Sequence, residues 1–225
     1  MTERKATGLY DPAFERDSCG FGLIANLDDL PSHWVVETAI SALARLTHRG
    51  AVAADGKTGD GCGLLIKFPE SFMRSVAEEL GFGLAGRFAA GTVFLGQDGA
   101  VAAEARRTID AAVAELGLEV AGWRVVPTDP SVCGERALAT LPRIEQVFVN
   151  APEGMPRGRF NRRLFLARRK AEKRLSEGET YIASLSSASI SYKGMIMPGA
   201  LPRFFPDLRD ERLQTSVCVF HQRFS

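Results

Sequence analysis

From Asp55 to Gly63 the chain reads DGKTGDGCG, four glycines in nine residues, and it runs straight into Leu64-Leu65-Ile66-Lys67-Phe68 before Pro69. Glycine visits backbone conformations that other residues avoid and weakens any helix or strand interior, so this stretch is a loop. The apolar run behind it is short, and the proline that closes it cannot donate to a sheet ladder, so it reads as a buried strand. A glycine loop that feeds a strand into a core calls for layers of helix and sheet.

The flanking segments bear this out. Cys19 to Leu27 (CGFGLIANL) is a short apolar strand bounded by the turn-prone Asp28-Asp29. Ser32 is placed to cap a helix in which Val36, Ala39, Ile40, Leu43 and Leu46 recur at helical spacing, with Arg49-Gly50 as its stop. Residues 70–82 and 104–117 read as helices, Thr92 to Leu95 and Trp123 to Val126 as strands, so an α+β insertion sits inside the domain. Ile144 to Asn150 is a further strand and Asn161 to Leu175 a strongly basic helix. Tyr181 to Leu185, Ser189 to Lys193 and Val217 to Phe220 carry the β-branched and aromatic content of strands.

Charge excludes some functions. The chain has 28 Lys and Arg against 27 Asp and Glu, a formal net charge of +1, so no bulk field draws nucleic acid or an anionic membrane. The basic helix is then a solvated face, and neither nucleic acid nor membrane is expected as a partner. Cys19, Cys62, Cys133 and Cys218 never form a C-x-x-C pair, and three histidines are scattered, so no zinc pattern exists. No stretch approaches the ~20 apolar residues of a membrane span, and the first eighteen residues lack the apolar run of a secretory signal. A reducing, cytoplasmic setting is expected, with the cysteines as thiols.

Three features carry chemistry. Ser18-Cys19-Gly20-Phe21-Gly22 puts a thiol at the head of a strand, next to glycines that let a ligand approach the backbone. Cleavage before Cys19 would give one residue both a thiol and a free α-amine, and an amine with a reference pKa near ~8 can serve as a local base. His48-Arg49-Gly50-Ala51, followed by Thr58-Gly59-Asp60-Gly61, puts an arginine beside a glycine loop. Val217 to Ser225 ends in His221-Gln222-Arg223-Phe224-Ser225, an arginine leaving a buried strand and suited to a carboxylate. Singly, each is more often structural: a buried thiol, a helix C-cap cation, an edge-strand arginine.

In this order and spacing the features resemble the N-terminal amidotransferase domain of glutamate synthase large subunits. The leader Leu9-Tyr10-Asp11-Pro12, Trp123 to Pro127, Arg143 to Phe148, Tyr192 to Met195 and Phe204 to Leu208 share in the resemblance, which covers nearly the whole chain. It implies an α+β fold, the four-layer αββα sandwich of the N-terminal-nucleophile hydrolases, incomplete at the C-terminus. It implies residues 1–18 as a propeptide and 19–225 as a type 2 glutamine amidotransferase domain. Cys19 would attack the glutamine side-chain amide, Arg223 would grip the substrate α-carboxylate, and Arg49 would be the H-R-G arginine that organises the loop around Cys19. Ammonia would pass to a flavin and 2-oxoglutarate synthase domain of the same chain, with a small electron-donating subunit among the partners the resemblance allows. FMN and an iron–sulfur cluster would belong to that remainder, with no cofactor in this segment.

Two departures from the family pattern stand out. Relatives continue past H-x-R-F-S into T-N-T and H-N-G-E, whose Asn and Gly supply the oxyanion hole, so these 225 residues alone are expected to be an inactive, truncated piece. Cys62 stands where a small residue such as alanine is usual, and Ala188 where arginine is common; Cys62 is expected to be a buried small hydrophobe. The competing readings are another N-terminal-nucleophile amidotransferase, favoured less by the long insertion between Phe68 and Tyr181, and an inactive partner-binding fragment.

Overall fold

The computed structural model describes residues 20–175, 178 and 180–223; Cys19, the leader and the last two residues lie outside them. Among the described residues eight strands and six α-helices follow one another as β1 (Gly20–Ala25), α1 (His33–Arg45), β2 (Cys62–Lys67), α2 (Glu70–Glu79), β3 (Phe88–Leu95), α3 (Gly99–Ala114), β4 (Glu119–Val125), α4 (Glu135–Ala139), β5 (Arg143–Asn150), α5 (Arg157–Glu172), β6 (Tyr181–Ile182), β7 (Ser189–Gly194), α6 (Leu201–Phe204) and β8 (Val217–Gln222). The strands form two four-stranded antiparallel sheets, ordered β1-β8-β2-β7 and β4-β5-β3-β6. The insertion expected between Phe68 and Tyr181 supplies all but one strand of the second sheet.

Alternation along the strands sorts their side chains. In the first sheet Leu64, Ile66 and Cys218 are fully buried on one face, with Phe220 beside them, and they pack with Val36 and Leu43 of α1 and with Phe72 and Met73 of α2. Burying each large side chain of this kind stabilises the fold by about 1.5–3 kcal/mol. The opposite face is open: Phe21 is 77% exposed, Leu23 60%, Leu65 43% and Val219 38%. In the second sheet Val93, Leu95, Val147 and Val149 pack under Ile109 and Val113 of α3 and Phe160 and Leu164 of α5.

A buried polar network joins the two sheets. Arg124 of β4 donates to both carboxylate oxygens of Asp207 at 2.8 and 2.7 Å and to Gln146 Oε1 of β5 at 3.0 Å. Tyr192 of β7 donates to Asp207 at 2.9 Å, and Thr92 of β3 donates to the Ser191 carbonyl of β7 at 3.1 Å. Arg124 and Asp207 are both almost fully buried, and at that depth a charge is tolerated only when paired and hydrogen-bonded.

Several expected boundaries move. The first helix ends at Arg45, not at Gly50; a 3-10 turn over Thr47–Arg49 follows, and Gly50 is extended at φ −112°, so it is no left-handed stop. Ser32 has the extended backbone of an N-cap but makes no side-chain capping bond. The third helix begins at Gly99, five residues earlier than expected, because Asp98 accepts from the backbone N–H of Ala100 and Val101. The basic helix runs from Arg157 to Glu172 and is partly neutralised: Arg168 and Arg169 pair with Glu172, Lys170 and Arg174 with Glu115.

Candidate active site

The first strand opens at Gly20, the residue after Cys19, and the last strand closes at Gln222, the residue before Arg223. Gly20 pairs with Gln222, and Gln222 pairs on its other side with Cys62 at the head of β2. The sheet therefore brings together, at one end, the immediate sequence neighbours of the two residues expected to react with and to hold the substrate. Cys19 itself lies outside the described residues.

Arg49 is the third expected site residue, and it lies over this corner. A methyl group at Gly20 would come within 3.1 Å of Arg49 Cγ and 3.2 Å of its Cβ, so the arginine stem rests on the strand start. The close fit continues next door, where a methyl group at Gly50 would fall 2.1 Å from Gln222 Nε2. Neither the amide nitrogen nor the amide oxygen of the fully buried Gln222 has a hydrogen-bond partner among the described residues. His48 turns back on its own helix, its ring Nδ1 3.0 Å from the Arg45 carbonyl, and is exposed.

The glycine loop is braced from below. Asp55 accepts from Thr58 Oγ1 at 2.5 Å and from the backbone N–H of Thr58 and Lys57, and these bonds, the Thr58 hydroxyl first, hold its carboxyl well below the usual range. Further along, Asp60 and Ala51 exchange bonds: Ala51 N–H donates to Asp60 Oδ2 at 2.8 Å and Asp60 N–H to the Ala51 carbonyl at 3.2 Å. Arg223 N–H then donates to the Gly61 carbonyl at 2.8 Å, and Arg223 Nε lies 3.5 Å from Asp60 Oδ2. Gly61 sits at φ +103°, open to glycine, while Arg223 sits at φ +92°, a costly conformation for a side-chain residue.

The described thiols are not poised to react. Burial pushes Cys62 and Cys218 up to about 12 and raises Cys133, which also feels Asp129. Burial, with Lys193 nearby, lowers the His221 pKa. A concave space of about 730 Å³ is walled by Phe94, Ile144, Tyr181, Lys193, Ile196 and Phe204. It is mostly apolar, and among the described residues Arg49, Asp60 and Arg223 do not line it. No group of three or more His, Cys, Asp or Glu among the described residues is arranged to hold a metal ion.

Arg49, Arg223 and the neighbour of Cys19 thus gather at one end of a sheet. Asp60 and Gln222 were quoted only as motif letters with no part assigned. Asp60 meets Arg223, and Gln222 meets Gly50, across more than half the chain, so only the fold reveals these contacts.

The profile of the class-II glutamine amidotransferases matches residues 19–225. The chain is similar to the glutamate synthase [NADPH] large chain of Azospirillum brasilense, 41% identical over 222 residues that cover 96% of this chain and 15% of that protein. It is similar to the protein of the same name from Bacillus subtilis, 37% identical over 98% of this chain and 15% of the relative. Ferredoxin-dependent glutamate synthase 2 of Synechocystis is 38% identical over 94% of this chain and 14% of its own length. The chain spans about 15% of the length of the relatives it matches.

Proposed function

As the chain belongs to the class-II glutamine amidotransferases, we propose that it is the glutaminase domain of a glutamate synthase, with Cys19 as nucleophile and Arg223 as the group that binds the α-carboxylate of glutamine. The observation that carries this reading is the pairing of Gly20 with Gln222, beneath the stem of Arg49. Support also comes from the family match beginning at residue 19 and from the relatives, which are glutamate synthases by name.

In the proposed reaction residues 1–18 are removed, and the freed α-amine of Cys19 takes the thiol proton. The sulfur attacks the side-chain amide carbon of glutamine, the S–C bond forms and the C–N bond breaks. The amine returns its proton to the departing nitrogen, which leaves as ammonia. Water then hydrolyses the thioester, freeing glutamate and the thiol. Arg223, as a planar fork, holds the α-carboxylate through two parallel charge-assisted bonds, and Arg49 secures the loop beside the strand start. Amide hydrolysis changes no oxidation state, so the FMN and iron–sulfur cluster of the proposed synthase domain are not needed for it. Ammonia would be used there to aminate 2-oxoglutarate, with a small electron-donating subunit as a further partner.

The fold proposed for the whole domain is the four-layer αββα sandwich. Its support is the first sheet, which carries helices on one face and an uncovered apolar row on the other. A cytoplasmic setting is part of the proposal; no helix among the described residues is long and apolar enough to cross a membrane.

The test is a glutamine analogue with an electrophilic side chain, applied to the full-length protein. The label is expected on Cys19, on a chain that begins Cys-Gly-Phe-Gly, with Cys62, Cys133 and Cys218 spared. Cys19→Ser should abolish glutamine-dependent glutamate formation and spare the ammonia-dependent reaction. Peptide mapping that finds the label on another cysteine, or full turnover with Met1 in place, overturns the reading.

A further inference from the structure

Arg223 has to present its guanidinium fork in a fixed plane, yet it sits on a strained backbone at the end of a strand. Contacts with the glycine loop help to hold it. Its N–H is bound by the Gly61 carbonyl at 2.8 Å, and its Nε lies 3.5 Å from Asp60 Oδ2, with the two side chains 30% and 33% exposed. The same Asp60 oxygen accepts from Ala51 N–H at 2.8 Å, so the carboxylate is itself anchored to the turn that carries Arg49.

We infer that Asp60 is a positioning residue, which sets the plane of the Arg223 guanidinium so that its fork meets the α-carboxylate of glutamine. The inference rests on the role given to Arg223 above. An arginine steadied at Nε by one carboxylate has lost rotation about its terminal bonds, and that lost freedom is what bidentate binding of a second carboxylate otherwise has to overcome. Repulsion between Asp60 and the substrate carboxylate is damped by water at a site one-third exposed, so orientation outweighs it.

Asp60→Asn separates the two functions of the side chain. The amide oxygen still accepts from Ala51 N–H, which keeps the turn, while the charge facing Arg223 is gone. In the full-length enzyme the KM for glutamine is expected to rise roughly three- to tenfold, with kcat and ammonia-dependent synthesis little changed. The penalty should be absent when the inhibition constant of 4-aminobutanamide, which is glutamine without its α-carboxylate, is compared between wild type and variant. Asp60→Glu, charged but one methylene longer, is the second variant, with the same selective rise in KM expected. An unchanged KM in these variants, where Arg223→Lys does raise it, overturns the inference alone, as does an equal loss of affinity for 4-aminobutanamide. An unchanged KM in Arg223→Lys overturns the reading of Arg223 on which it stands.

Discussion

Gly50 shows how little slack the corner has. Its φ of −112° is open to any residue, so the glycine is there for space and not for backbone freedom. A methyl group would stand 2.1 Å from Gln222 Nε2 and 3.0 Å from its Cδ, and Gln222 is fully buried between the strands that start at Gly20 and Cys62. Gly50→Ala must therefore push the amide or lift the turn that bears Arg49. Overpacking of this kind costs about 1–3 kcal/mol, and a denaturant titration should show that loss, with glutamine turnover falling further than the stability change explains. Wild-type stability and turnover in Gly50→Ala would mean that the corner is loose. Motif letters named Cys19, Arg49 and Arg223 because those residue types carry the chemistry. They could not show that Gln222 lies under Gly50, since that contact joins positions far apart in the sequence.

At the level of elements, local pattern was informative and pairing was not. Strand β2 and helix α1 could be read directly, one from a glycine loop running into an apolar stretch, the other from residues repeating every three or four. Helix α4 spans five residues and α6 only four, with Pro202 near its start, and neither is long enough to show a period. The pairing of β8 with both β1 and β2 joins the two ends of the chain, and no sequence signal encodes register at that range. The polar network between the sheets was equally hidden, because Arg124, Tyr192 and Asp207 look like ordinary polar letters until burial is known. Its energetics can be tested. Asp207→Ala leaves the Arg124 guanidinium buried without its partner and is expected to cost about 3–5 kcal/mol. Tyr192→Phe removes one hydrogen bond to the same carboxylate and should cost about 1 kcal/mol. Thermal or denaturant unfolding of both variants and of the double mutant checks the order. Equal losses would show that the Tyr192 hydroxyl matters as much to the network as the charge pair does.

For the molecule as a whole, the two faces of the first sheet are treated differently. One is packed by α1 and α2; across the other, Leu23, Val219 and Leu65 stand opposite one another on three adjacent strands, with Phe21 beside them, all exposed. A contiguous apolar row of this kind marks a surface that another layer covers. The four-layer sandwich proposed for the domain would supply that layer as strands other than those of the β4-β5-β3-β6 sheet. Leu23→Thr with Val219→Thr tests it, because threonine is β-branched and suits a strand while it removes apolar surface. In the 225-residue chain both sites are exposed, and the pair should change stability by no more than about 0.5 kcal/mol per site while lowering binding of a hydrophobic dye. In the full-length protein, where the face would be covered, each substitution should cost about 1.5–3 kcal/mol of buried apolar contact. The comparison is made by the unfolding midpoint of each form with and without the pair. A pair that is neutral in both leaves the face uncovered in the full-length protein, and the four-layer arrangement is then wrong for this sheet.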